Sequence, residues 1–571
     1  FLIDCMLCLA LRIDFPERRL SAFQSVGNGL HGSDCNGCSD YSGRSGSVNS
    51  GKHAKTGINE INELQPEWAY FANLPAGCAL VRRLRFFPQT TFASASCLLE
   101  VGAQGIICSS SVDGNRNRLT LARARQMQRS VHYKLYAMMF LEFFIWGAWL
   151  PPSFGFFGDG ALKFNEWQQF GLNIAFPVSA IVAMFFGNQF VDRNFSAERF
   201  LAFSHLIGGL SMLGFGALAW MTFRQDQAGS ANYWLFFACM AIHCLFYVPT
   251  ISVTNTIAFA SMTDPQKEFG PVRLWGTIGW IAASWPFIFI LVDWKKIPSM
   301  ERAGGFVNWL GTALGTSLTG NELNMGKCAA FLTAGIASLL LAALSLTLPH
   351  IPPKPAKSEE NSLAWLEAMK LLKHPFLFVL FIVTFIDATV HDGFFFFAFS
   401  YIEKVGVPSN WIQPAMSVGQ IAEIGTMAFL GLVLKRFGWR YTMIIGILGH
   451  TVRFAVFAFV PNPYCVVAVN LLHGICYAFF FATLYILVDE VFPKDARTSA
   501  QGLFNFLILG LGPIASRYTW PALQKMYTTD QGIQYQTLFL YPSAAALFAA
   551  ILLLLFFHPP KGNLENISGH A

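Results

Sequence analysis

The chain has 571 residues, of which 54% are hydrophobic and 13% charged, with 57 phenylalanines and a formal net charge of +6; its mean hydropathy is +0.44. Soluble domains carry about 25% charged residues, so this polar cover is too thin for a soluble enzyme, and no Lys/Arg-rich block offers a surface for nucleic acid. The composition is that of a polytopic membrane protein.

Residues 1–126 depart from that composition. They hold seven of the twelve cysteines, at 5, 8, 35, 38, 78, 97 and 108, among many Ser, Gly and Arg. Cys35-x-x-Cys38 has no second pair at finger-like spacing, so neither a zinc site nor a disulfide framework is expected. The opening FLIDCMLCLALRIDF lacks the basic stretch that begins a signal peptide. The first convincing span follows Met127, and residues 1–126 are expected to be non-native upstream sequence or a disordered extension.

From His132 onward, twelve segments approach the roughly 20 apolar residues that a membrane crossing needs. They lie near 132–155, 168–191, 198–222, 232–257, 269–293, 327–350, 374–402, 409–434, 440–460, 463–489, 498–526 and 534–557. Basic residues collect in alternate connections: Arg193 and Arg199, then Lys267, then Lys354, Lys357, Lys370 and Lys373, then Lys435, Arg436 and Arg440, then Lys494 and Arg497. Positive charge marks the cytoplasmic side, so both termini are expected there. A basic linker at 351–373 separates a first half, 127–350, from a second, 374–558, followed by a tail at 559–571. GNQFVDRNFSAER after span two and GLVLKRFGWR after span eight each place a Gly before a basic turn. Six spans, a charged loop and six spans resemble the major facilitator superfamily, whose halves rock around a midplane site. The expected fold class is an all-α polytopic membrane protein of twelve transmembrane helices in two pseudo-symmetric halves.

Ionisable side chains are costly in a bilayer, so those inside spans are functional candidates. Arg273, Thr277 and Trp280 share one face of span five and suit a ligand with oxygens and a flat ring; Arg273 also fits a snorkelling anchor. Gln420 and Glu423 share a face of span eight and can hold sugar hydroxyls. Span seven carries Asp387, His391 and Asp392, the first two one turn apart and able to share a proton. Span ten has His473 and Tyr477 at i, i+4, and span one has Glu142 near Trp146 and Trp149. No HExxH, phosphate loop or nucleophile elbow is present, so no enzyme, cofactor or metal is expected.

RLWGTIGW in span five, LTLPHIP after span six, QIAE in span eight and ARTSAQGLF after span ten resemble the bacterial nucleoside permeases and their xanthosine-permease relatives. These form the nucleoside:proton symporter branch of the major facilitator superfamily. The resemblance runs from about His132 to His558. It implies that Arg273, Thr277 and Trp280 contact nucleoside and that Gln420 and Glu423 bind ribose and base. Two spans depart from the family. Its span-ten tyrosine and phenylalanine align with His473 and Tyr477, and the aspartate that follows, linked to proton coupling, aligns with Ala478. Its span-seven Gln and Asn align with Asp392 and Phe395.

The resemblance therefore implies a monomeric inner-membrane carrier that takes up nucleosides by alternating access, with protons as the coupled ion. The missing aspartate leaves Asp387, His391, Asp392 and Glu423 as proton-coupling candidates, and the acid is expected on span seven, with Asp392 and His391 facing one cavity. Its absence also fits an uncoupled facilitator or a transport-inactive membrane sensor, and the Gln/Glu pair fits a sugar or polyol carrier.

Overall fold

The structure, a computed structural model, describes residues 114–158, 160–184, 191, 193–353, 371–492 and 497–558. The expectations for residues 1–113, for most of the 351–373 linker, for the Gly-to-Asp192 turn and for the tail lie outside these residues. Eleven long helical elements carry the fold. In the first half they are α1 (Gly114–Phe156), α2 (Glu166–Val182), α3 (Ala197–Arg224), α4 (Tyr233–Ser261), α5 (Pro265–Ser284) and α6 (Ala329–Ser345). In the second they are α7 (Pro375–Lys404), α8 (Ile412–Phe459), α9 (Pro463–Val491), α10 (497–526) and α11 (Tyr535–Phe556). Helix α1 starts at Gly114, so 114–126 continues the first span upstream of Met127.

The termini of these helices are written in their sequence. Asn165 accepts from the Gln168 amide while Gln168 reaches back to the Asn165 amide, a reciprocal cap that starts α2. Asn232 and Asn462 cap α4 and α9 in the same sense. Pro265 and Pro375 stand in the first turns of α5 and α7, where a missing N–H costs nothing. Helix α8 holds two of the expected spans, joined at Gly438, whose φ of 70° and ψ of 177° turn the chain without a loop. Two π-helical stretches interrupt the spacing, Tyr477–Ala482 in α9 and Phe506–Leu511 in α10.

Each of the twelve expected spans coincides largely with helix over its described part. Among the described residues, seven helical stretches are long and apolar enough to cross a membrane by themselves, and one of these, Ser409–Phe459, has 51 residues, about 75 Å of helix at 1.5 Å per residue. That length spans twice. The 294–326 insertion forms two short helices, Phe306–Gly315 and Gly320–Lys327, and a bridge joins Val292 to Ser317.

Buried apolar side chains form two principal cores, one drawn from Leu135 to Leu348 and the other from Phe376 to Phe557. Phe331 is central to the first, 4.7 Å from Phe215 and 4.9 Å from Phe156 between ring centres; Phe539 is central to the second, 4.6 Å from Tyr401. Helices in lipid gain little from apolar burial alone and depend on close approach at small residues. A Cβ at Gly147 would meet the Trp280 carbonyl oxygen at 2.9 Å, and one at Gly279 would collide with the Phe140 carbonyl. Helices α1 and α5 are therefore in backbone contact, and the face of α5 carrying Arg273 is fixed against α1.

Candidate functional site

Three helices from the two halves bring the expected nucleoside residues together. Arg273 on α5 lies half-buried with its guanidinium 4.0 Å from the centre of the Phe143 ring of α1. Glu423 on α8 and Tyr477 on α9 are within electrostatic reach of Arg273 and of each other. Thr277 is half-buried one turn beyond Arg273, and Gln420 is buried one turn before Glu423. Trp280 stands edge-on to Trp146 at 5.3 Å and reaches Phe395 of α7 at 6.5 Å. The arrangement offers a cation, a carboxylate, a phenol and an indole across the seam between halves.

Behind this seam the second half contains a buried polar cluster that centres on Arg453, which is wholly inaccessible. Its Nη2 donates to His450 Nδ1 at 2.8 Å and its Nη1 to His473 Nδ1 at 3.0 Å. The guanidinium also lies 3.8 Å over the Phe394 ring. His473 stacks on His391 at 4.8 Å, and His391 lies 6.4 Å from the Tyr477 ring. Asp387 is wholly buried, 3.9 Å from His450 Nε2, and neither carboxyl oxygen has a hydrogen-bond partner.

Asp392 goes elsewhere. It accepts from Arg517 Nη2 of α10 at 2.7 Å, and Arg517 Nη1 donates to the Asn173 carbonyl of α2 at 3.0 Å. The two neighbours in sequence, His391 and Asp392, thus serve different faces of α7: one stacks in the imidazole cluster, the other straps α7 to α10. A cleft of about 750 Å³ opens beyond this strap, lined in part by Phe154, Glu166, Lys327, Glu403, Arg517 and Lys525. None of the ten expected site residues lines it. At the end opposite the basic loops, further contacts join the halves. Asn410 donates to the Ile288 and Leu314 carbonyls, Trp411 donates to Leu314, and Lys525 pairs with Glu166 at 2.8 Å.

The first half has its own buried network. Glu142 meets His205 Nε2 at 2.9 Å and accepts from Thr250 at 2.8 Å, while Tyr247 donates to the Glu142 carbonyl at 2.7 Å. His205 Nδ1 is 3.0 Å from the Ser338 hydroxyl, and His243 stacks on Tyr247 at 5.3 Å. Among the described residues no three His, Cys, Asp or Glu side chains are arranged to hold a metal ion. Sequence reasoning passed over Arg453, His450, Arg517, His205 and His243. The signal was there, because each is an ionisable residue inside an apolar run.

The profile of the family described as "Nucleoside H+ symporter" matches residues 129–303 and 301–562. The chain belongs to the nucleoside H+ symporter family. It is 30% identical over 450 residues to YegT of Escherichia coli (strain K12), covering 76% of this chain and 95% of that protein. The xanthosine permease of the same organism is 26% identical over 465 residues, covering 76% and 98%, and its nucleoside permease NupG is 25% identical over 442, covering 74% and 95%. The crystal structure of NupG superposes with a TM-score of 0.58 at 23% identity, over 74% of this chain and 98% of that one. A bacterial homologue of the lysosomal transporter Spinster follows at 0.53 and 13%, over 75% and 95%. The fold is the one that the sequence led us to expect, and members of this family are membrane-embedded transporters, not enzymes.

Proposed function

We propose that the chain is a proton-coupled nucleoside transporter of the cell inner membrane, acting as a monomer with both termini cytoplasmic. Its halves, 127–350 and 374–558, rock about the seam that Arg273, Glu423 and Tyr477 line from α5, α8 and α9. The convergence of these three is the observation that carries the reading. A nucleoside has a planar base rimmed with oxygen and nitrogen atoms and a ribose with vicinal hydroxyls. Trp280 and Tyr477 give stacking surfaces for the base, Thr277 and Gln420 orient it by hydrogen bonds, and Glu423 accepts from the ribose hydroxyls. Arg273 binds base oxygens and exchanges them for Glu423 as the halves rock. His473 closes the site from α9. His391 stands behind His473, and Asp392 holds the closed end through Arg517.

A second reading has its own observation: Ala478, at the aligned position of the family's coupling aspartate, is buried in the π-helical stretch of α9, which fits an uncoupled facilitator. Uptake of labelled uridine and adenosine into proteoliposomes separates the two. Accumulation above equilibrium under an inward proton gradient, lost with an uncoupler, is expected. Equilibration indifferent to the gradient would make the chain a facilitator. Entry of hexoses in place of nucleosides would make it a sugar carrier, and an absence of any uptake would reduce it to a sensor.

A further inference from the structure

The two buried networks are related by position. Glu142 and His205 stand on α1 and α3; Asp387 and His450 stand on α7 and the second arm of α8, each 245 positions later (142 to 387, 205 to 450). His243 and Tyr247 on α4 precede His473 and Tyr477 on α9 by 230 positions each (243 to 473, 247 to 477). An acid on the first helix of a half, a histidine on its third and a His/Tyr pair on its fourth therefore occur twice. The copies differ at the acid. Glu142 is joined to His205 at 2.9 Å and to Thr250 at 2.8 Å. Asp387 is 3.9 Å from His450 and accepts from no donor.

We propose that Asp387 is the proton-binding acid of this transporter, with Arg453 as the positioning residue that links it to the nucleoside site. This rests on the transport reading above. Guanidinium groups only donate, so the Nδ1 atoms of both His450 and His473 must be acceptors and their protons sit on Nε2. A second N–H proton on either ring, at Nδ1, would eject Arg453. The imidazoles are thereby held neutral, and the His450 Nε2–H points toward Asp387. Among the acid and the two imidazoles that Arg453 holds, the carboxyl is the group left to exchange a proton. Protonated, it needs no donor and can stay at the 3.9 Å from His450 that the structure shows. Deprotonated, it draws the Nε2–H of His450 or the guanidinium itself, because a buried carboxylate without donors is strongly disfavoured. Either movement loosens Arg453 from His473, whose ring packs on His391 and Phe395 beside Tyr477 and Trp280.

The groups that face Asp387 are His450 and Arg453 from α8 and Cys476 from α9, with His391 of its own helix and His473 of α9 behind them in the same cluster. Helix α10 offers α7 only Arg517 as a charged group among the described residues, and it is taken by Asp392. Helix α11 brings Tyr535 to Tyr401, at the far end of α7, and α1 brings Phe154 to Phe396.

The test compares Asp387→Asn with Glu142→Gln in proteoliposomes. One proton per nucleoside and a gradient of one pH unit sustain about tenfold accumulation at most. Wild type and Glu142→Gln are expected to accumulate uridine under the gradient. Asp387→Asn is expected to fall to an accumulation ratio of about 1 while keeping uridine counterflow within about twofold of wild type. Arg453→Gln is expected to leave nucleoside affinity independent of pH, which a merely structural role would not do. Gradient-driven accumulation by Asp387→Asn overturns the proposal, and coupling lost in Glu142→Gln alone moves the site to the first half. Wild-type protein that shows no nucleoside counterflow defeats the transport reading itself. In that event, and also where Asp387→Asn fails to fold, proton uptake in a pH jump decides. The purified Asp387→Leu variant should bind one proton fewer than wild type across about pH 5–8, and equal uptake overturns the assignment.

Discussion

Arg273 illustrates what a single side chain in this fold can be asked to do. Its guanidinium lies over Phe143 and within electrostatic reach of Glu423 and Tyr477. Lysine would keep the charge but lose both the stacking and the fork of donors. Arg273→Lys is therefore expected to weaken nucleoside binding by about 2 kcal/mol, the scale of a hydrogen bond to a charged group, or about 30-fold in KM, measurable from uptake kinetics. This residue was legible because Thr277 and Trp280 repeat along the same helical face. Gln420 and Glu423 were legible for the same reason. Arg453, His450 and Arg517 showed only as ionisable residues inside apolar runs, and their roles stayed hidden because each takes its meaning from partners on other helices: His473, Asp387 and Asp392. Periodicity reports which residues share a face, and says nothing of which faces meet. The same limit explains Asp392, whose adjacency to His391 in sequence suggested one cavity, while a helical step of about 100° turns the two apart.

At the scale of elements, hydropathy was an adequate guide to where helices lie, and turn chemistry to where they stop. What hydropathy could not supply is the distance between helices, which small residues control. A Cβ at Gly474 of α9 would stand 2.5 Å from the Ala422 carbonyl carbon and the Glu423 amide nitrogen. Gly474→Ala must push α9 from α8 just where Glu423 and Tyr477 face each other. Overpacking of this kind costs about 1–3 kcal/mol. The expected outcome is a lower unfolding midpoint of the purified protein together with reduced nucleoside affinity. Gly502→Ala, whose added Cβ would meet no atom within 4 Å, should change neither. The π-helical stretch at Tyr477–Ala482 was also invisible in sequence. It inserts one residue into the helical spacing, so that faces assigned before and after Tyr477 do not continue one another.

As a whole, the molecule is fastened at the end opposite its basic loops. Asn410, Trp411 and Lys525 of the second half all hold acceptors in the first, and Arg517 bridges Asp392 and Asn173. Alternating access requires these contacts to break together. A neutral hydrogen bond contributes about 1 kcal/mol net, so Trp411→Phe should raise the population open at this end by about fivefold. Spin labels placed at both rims of the cleft would report this as a longer interlabel distance in a larger fraction of molecules. An unchanged distance distribution would mean that the fastening lies elsewhere. The linker suggested a division into halves, but nothing in the sequence marked the fastened end, because most of its contacts end on backbone carbonyls at Ile288, Leu314 and Asn173, which carry no sequence signature.

The turn at Gly438 bears on how the protein is made. Its two arms share one stretch of chain with no loop between them, so they are expected to enter the bilayer as a helical pair, with Lys435, Arg436 and Arg440 expected to mark the side that stays behind. Only glycine adopts that backbone readily. Gly438→Val should therefore lower the yield of inserted protein, visible by quantitative blotting of membranes, while each molecule that does insert transports at the normal rate.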